Sequence, residues 1–253
     1  MTGRPVTARR TAGATGLLLV AAAAAWVWVV TRWGGMPAMP GTMGLGLPAF
    51  LAVWTLMMAA MMLPATAPVA ALYARTLTVH RASHMAVFTV AYLLVWAAAG
   101  LPAYALAVGL GRAASLPAGV GTAAAAAVFA VSGVYQLTPL KDRCLARCRS
   151  PLGLMLRYAS SYPGRSRDLR AGAHHGAFCL GCCWSLMVLL AAFGLMNLWV
   201  MVALAAVITS EKLLPAGRLV AHAVGIASLA LAVAVVWVPA LAPGLTGGGM
   251  TGM

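Results

Sequence analysis

His174-His175-Gly176-Ala177-Phe178-Cys179-Leu180-Gly181-Cys182-Cys183-Trp184 opens an apolar run that extends to residue 194. About 20 apolar residues are what a helix needs to cross roughly 30 Å of hydrocarbon. Six more such runs lie near 13–32, 47–73, 84–109, 118–139, 197–214 and 218–240. Pro/Gly turns or basic segments separate them, among them Gly34-Gly35 with Pro37 and Pro40, Arg75 to Arg81, and Pro215 to Arg218. With 63% of the residues hydrophobic, 8% charged and a mean hydropathy of +0.94, the composition is that of a polytopic membrane protein. The expected fold is all-α, a transmembrane helical bundle of about seven spans. The first run follows Arg4, Arg9 and Arg10 as a leader peptide would, yet it continues to Val30 through Trp26 and Trp28 and reads as an uncleaved span.

The 17 basic residues then fix an orientation. Arg4, Arg9, Arg10, Arg75, Arg81, Lys212, Arg218 and the eight Lys and Arg between 141 and 170 all fall on one side of a seven-span arrangement. Only Arg32 and Arg112 fall on the other. Cytoplasmic loops retain Lys and Arg, so the N-terminus reads as inside and the C-terminus as outside. The net charge of +14 follows topology and does not point to nucleic acid. Residues 1–44 comprise a cytoplasmic tail, the first span and a Met/Pro/Gly external loop. Residues 45–240 form a six-span metal-binding domain with a basic cytoplasmic loop at 141–170, and 241–253 a flexible Gly/Met tail.

Three acidic residues, Asp142, Asp168 and Glu211, leave little for the paired acids of glycosidases, proton pumps or hard-metal sites. No Gly-rich phosphate loop, Ser/His/Asp grouping or HExxH motif is present. Five Cys and fifteen Met offer thiolate and thioether ligands instead, which suit Cu(I) better than Mg or Ca. On a helix His175, Cys179, Cys182 and Cys183 share a sector of roughly 100°. In this topology all five Cys and all five His lie at or near the cytoplasmic face, where thiols stay reduced and act as ligands. The outer side carries Met36, Met39, Met43, Met250 and Met253.

Two further groups extend that face. Cys144 and Cys148 have i, i+4 spacing, so a short helix would carry both sulfurs on one side as a mobile pair able to exchange metal with the fixed one. Met58, Met61 and Met62 share a face of the second span, with Pro64 freeing a carbonyl, and Met187 lies one turn beyond Cys183. Each also has a plainer reading: Cys as a small buried hydrophobe, Met as adaptable filler. A helix N-terminus near Cys179, with Arg170, would favour thiolates there. Gly194 and Asn197 suit a hairpin between spans. Glu211-Lys212 reads either as an interfacial pair or as a Glu aimed into the bundle.

Trp54 with Met57 to Pro64, Tyr135 through Arg149, Arg170 to Gly172, Gly176, Cys179, Gly181-Cys182-Cys183-Trp184, Leu186-Met187, Met196-Asn197 and Glu211-Lys212 together carry a resemblance. Over about residues 45 to 235 the chain resembles the predicted metal-binding integral membrane proteins, a bacterial family catalogued as a domain of unknown function. One class in it is a membrane copper chaperone for tyrosinase-type oxidases. The resemblance implies copper delivery to an enzyme in place of catalysis, in a bacterial inner membrane, with the two Cys motifs at its centre. His174 and His175 fall outside those motifs and stand on geometry alone. The expected metal residues are Cys179, Cys182, Cys183, Cys144, Cys148, Met58, Met61, Met62, Met187 and His175, and the expected cargo is copper as Cu(I). The expected partners are membrane lipid and a copper-dependent enzyme or soluble copper carrier. A soft-metal transporter, a membrane redox enzyme using thiols, haem or quinone, and a structural assembly factor stand as alternatives.

Overall fold

The computed structural model describes residues 4–33, 41–77, 80–150 and 165–246, and every regular element among them is helical. In order these are α1 (Arg4–Trp33), α2 (Leu47–Arg75), α3 (Arg81–Ala114), α4 (Ala118–Gln136), α5 (Pro139–Arg149), α6 (Arg165–Phe193), α7 (Leu198–Leu213) and α8 (Gly217–Trp237). A 3₁₀ turn at Pro239–Leu241 and the one-turn α9 (Pro243–Thr246) follow. Five of them, α2, α3, α4, α6 and α8, contain segments long and apolar enough to cross a membrane. The apolar part of α1, Gly16–Arg32, is shorter, and α7 has 16 residues. Each of the seven expected runs coincides with one of these seven helices.

One boundary is corrected. The stretch 141–170 is not one long loop: α5 occupies its beginning, and α6 starts at Arg165, nine residues before the expected 174. The polar turns of α6 were hidden from a hydropathy reading because helix continuity is a matter of backbone bonding, not of apolarity. Met36, Met39, Arg157, Met250 and Met253 lie outside the described residues.

α2 is the hub. It is buried on several sides, through Phe50, Trp54, Met57, Met58, Met61 and Met62, as expected of a helix apolar all round. α1 packs along α2, α3 along α6 and α4 along α8, while α2 also meets α3 and α7. Trp54 Nε1 donates to the Trp96 carbonyl at 2.9 Å, tying α2 to α3. Gly194 ends α6 at φ +97°, a conformation open to glycine, and Asn197 caps α7 by accepting from Val200 N at 3.3 Å. The expected hairpin is therefore present. Trp199 and Trp237, 83% and 82% exposed, stand at the same end of α7 and α8. That is the opposite end of both helices from Lys212 and Arg218, and an exposed Trp there suits a membrane–water interface.

Candidate metal site

α5 starts at a built cap. Thr138 Oγ1 accepts from Lys141 N at 3.2 Å, Pro139 takes the first helical position and Asp142 lies in the first turn. Eleven residues make a marginal helix in isolation, so its position depends on tertiary anchors. The main one is Lys141, fully buried, whose Nζ donates to Glu211 Oε2 at 2.6 Å and to the Cys182 carbonyl at 2.5 Å. Gln136 Nε2 donates to the other Glu211 oxygen at 3.1 Å. One buried carboxylate thus joins α4, α5 and α7, and Lys141 extends the link to α6. Tyr135 OH donates to the Gly181 carbonyl, and its ring meets Trp184 edge-on at 4.7 Å.

This anchoring delivers Cys148 into the core beside the thiols of α6. Cys148, Cys179, Cys182 and Cys183 are all buried, and all five cysteines of the chain are free thiols. Cys182 and Cys183 Sγ lie 3.2 Å apart, and the Cys182 thiol donates to the Cys179 carbonyl at 3.2 Å. The Cys148 thiol is held well above its usual range, first by its hydrogen bond to Cys179 and further by burial. A thiol must lose its proton before it can serve as a metal ligand.

Cys179 is the centre of the group. Tyr92 OH lies 3.0 Å from its Sγ, and Lys212 Nζ donates to it at 2.8 Å. Tyr92 OH is in turn 3.2 Å from Thr66 Oγ1, which brings in α2. The helix-terminus argument for thiolates does not hold, because Cys179 sits fourteen residues into α6, beyond the reach of the terminal dipole. Lys212 brings positive charge to the sulfur instead. The interfacial reading of Glu211-Lys212 is likewise overturned, since both side chains are buried and turned into the bundle.

The remaining expected residues divide. Cys144 is half-buried and lies against Gly181, where an added Cβ would come within 3.0 Å of its Sγ. The expected mobile pair is therefore split, with Cys148 packed into the fixed group and Cys144 beside it. Met58, Met62 and Met187 are buried. Met61 is buried as well and lines a pocket with Trp26, Val202 and Thr209 on the α1 and α7 side of α2. Met187 borders an apolar cavity of about 560 Å³ with Trp54, Trp96 and Trp184. His175 is buried in a ring stack, 6.2 Å from Phe88 and 5.8 Å from Tyr92 between centroids.

Among the described residues no three His, Cys, Asp or Glu side chains already converge as a cage for a metal ion. The hydrogen-bonded thiols therefore form a sulfur-rich face, not a closed four-ligand site of the structural zinc kind. Sulfur donors of this kind suit a soft metal ion. The sequence reading singled out Lys212 only as the neighbour of Glu211, and it missed the contacts of Lys212 and Tyr92 with Cys179 and of Lys141 with Cys182. The signal for the two lysines was their position within or beside apolar runs, where an ionisable group is costly and turns inward.

A family model described as PpoB2: Copper chaperone matches residues 51–235. No curated protein and no solved structure matches the chain.

Proposed function

The chain belongs to the PpoB2 copper chaperone family, and from that premise we propose that it holds Cu(I) on the thiol face of α6 and hands it to a copper-dependent enzyme. Cys179, Cys182 and Cys183 would take the ion, with Cys148 as the fourth sulfur in reach. Lys212 sets an ammonium beside Cys179, so an incoming monovalent cation replaces a contact that already exists. The convergence of Lys212, Tyr92 and Cys148 on Cys179 carries this reading. A buried ammonium whose hydrogen bond goes to a sulfur is a costly arrangement unless that sulfur has work to do.

The rest of the proposal concerns the membrane. Seven helices cross a bacterial inner membrane with the N-terminus inside and the C-terminus outside, supported by the division of basic residues and by Trp199 and Trp237 at the other end. Met62 and Met58 follow Thr66 at successive turns of α2, and Met187 follows Cys183 on α6. These thioethers would carry copper outward from the thiols. Met61 and Cys144 flank that line, and His175 adjoins it on the basic side. Lipid surrounds the bundle, and a soluble carrier or the client enzyme exchanges copper with it.

Protein purified in detergent under reducing conditions is expected to bind Cu(I) stoichiometrically. The Cys179→Ser/Cys182→Ser/Cys183→Ser variant is expected to lose it. Full copper in that variant, measured by elemental analysis, would overturn the assignment. Absorption bands of haem or flavin in the wild-type protein would favour the redox alternative instead.

A further inference from the structure

α6 carries a second polar constellation, eleven residues before Cys179 and toward the basic end of the bundle. Asp168 is fully buried. Tyr73 of α2 donates to its Oδ1, His84 Nδ1 of α3 contacts its Oδ2, and Arg167 Nε is 3.7 Å away. Of the three acidic residues, Glu211 is paired with Lys141 and Asp142 with Arg218, both at 2.6 Å. Asp168 has an imidazole as its close ionic partner. The carboxylate is fully shielded while the His84 side chain remains 16% exposed.

We propose that His84, oriented by Asp168, is the residue that first binds the cation on the basic side of the bundle, ahead of the thiols. The proposal rests on the copper-chaperone reading above. A carboxylate on Nδ1 fixes the tautomer that leaves the Nε2 lone pair available, the usual support of a metal-binding imidazole. Imidazole and thiolate both suit copper, so the ion can pass from one to the other. One continuous ring stack links the two constellations. Tyr73 stacks on Phe88 at 5.0 Å, Phe88 on His175, and His175 on Tyr92, which touches Cys179. Asp168, His175, Cys179 and Cys182 follow at intervals of seven, four and three residues, which keeps them on one stripe of α6 over about 20 Å. A cation meeting a face dominated by Arg and Lys thereby finds a carboxylate-backed imidazole at the head of the sulfur stripe. A purely structural staple across α2, α3 and α6 would need the same hydrogen bonds but would gain nothing from a soft ligand at position 84.

The test presents Cu(I) on a coloured bidentate chelator to full-length protein in detergent and follows loss of the chelate colour by stopped flow. Wild type, His84→Ala, Asp168→Asn, His84→Cys and His222→Ala are compared, with copper at equilibrium measured in parallel. His84→Ala and Asp168→Asn are expected to slow transfer roughly tenfold or more, His222→Ala to leave it unchanged, and His84→Cys to recover most of the lost rate. Transfer by His84→Ala at the wild-type rate overturns the proposal. So does a His84→Cys no better than His84→Ala, which would mark a structural staple. Failure of the wild type to take copper at all would instead sink the chaperone reading itself.

Discussion

Lys141 is fully buried, its ammonium held between the Glu211 carboxylate of α7 and the Cys182 carbonyl of α6. Its ammonium and the Glu211 carboxylate are desolvated together, and each is tolerable only because the other is 2.6 Å away. Lys141→Ala leaves Glu211 buried with Gln136 Nε2 as its hydrogen-bond donor and frees the Cys182 carbonyl. The expected loss is about 3–5 kcal/mol, read as a lowered unfolding temperature in detergent, with reduced copper occupancy as α5 loosens. Adding Glu211→Gln removes the orphaned charge and should restore much of the stability. A double variant no more stable than Lys141→Ala would show that packing of the lysine stem, not the ion pair, carries the effect. Lys212 differs in kind because its hydrogen bond goes to a thiol sulfur. Glu211 and Lys212, neighbours in sequence, thus differ in role: one holds the scaffold, the other faces the thiols proposed to take copper.

Among the elements, α6 governs the site because it is gripped from two sides at different distances. At Gly172 an added Cβ would lie 2.2 Å from the Phe88 carbonyl oxygen and 3.0 Å from Ala91 Cβ, so backbone would have to move. At Gly181 the nearest atom is the Cys144 sulfur at 3.0 Å, the end of a half-buried side chain on a short helix. Gly172→Ala is therefore expected to cost about 1–3 kcal/mol by forcing α3 from α6. Gly181→Ala should cost less than about 1 kcal/mol, since the helix-propensity gain of alanine offsets a small sulfur shift. Equal losses in thermal melts would mean that the two helix contacts are equally rigid, contrary to this reading. The contrast also marks what was legible in the sequence. The helices could be read from hydropathy, and the α6 thiols from helical spacing, because both depend on local pattern. The insertion of Cys148, the contact of Lys212 with Cys179 and the inward turn of Asp168 depend on which helices touch. Periodicity carries no record of that.

For the whole molecule the decisive asymmetry is chemical as well as electrical. The thiols, buried lysines and Asp168 network occupy the half of the bundle that carries most of the described basic residues, while Trp199 and Trp237 cap the other. If that basic half faces the cytoplasm, reduced thiols and an intracellular copper supply coincide. If it faced outward, Cys182 and Cys183 would meet an oxidising compartment beside Cys148 and Cys179. Orientation and function therefore stand or fall together. A phosphatase that folds only outside the cytoplasm, fused after Met253, is expected to be active, while the same reporter ahead of Met1 should be inactive. Moving positive charge tests the cause: Arg75→Gln with Arg81→Gln should raise the fraction of inverted molecules only slightly, because the eight Lys and Arg between residues 141 and 170 remain. Neutralising several of those eight should raise it much further. A phosphatase inactive after Met253 and active ahead of Met1 would reverse the bundle, and with it the side from which copper reaches His84 and Cys179.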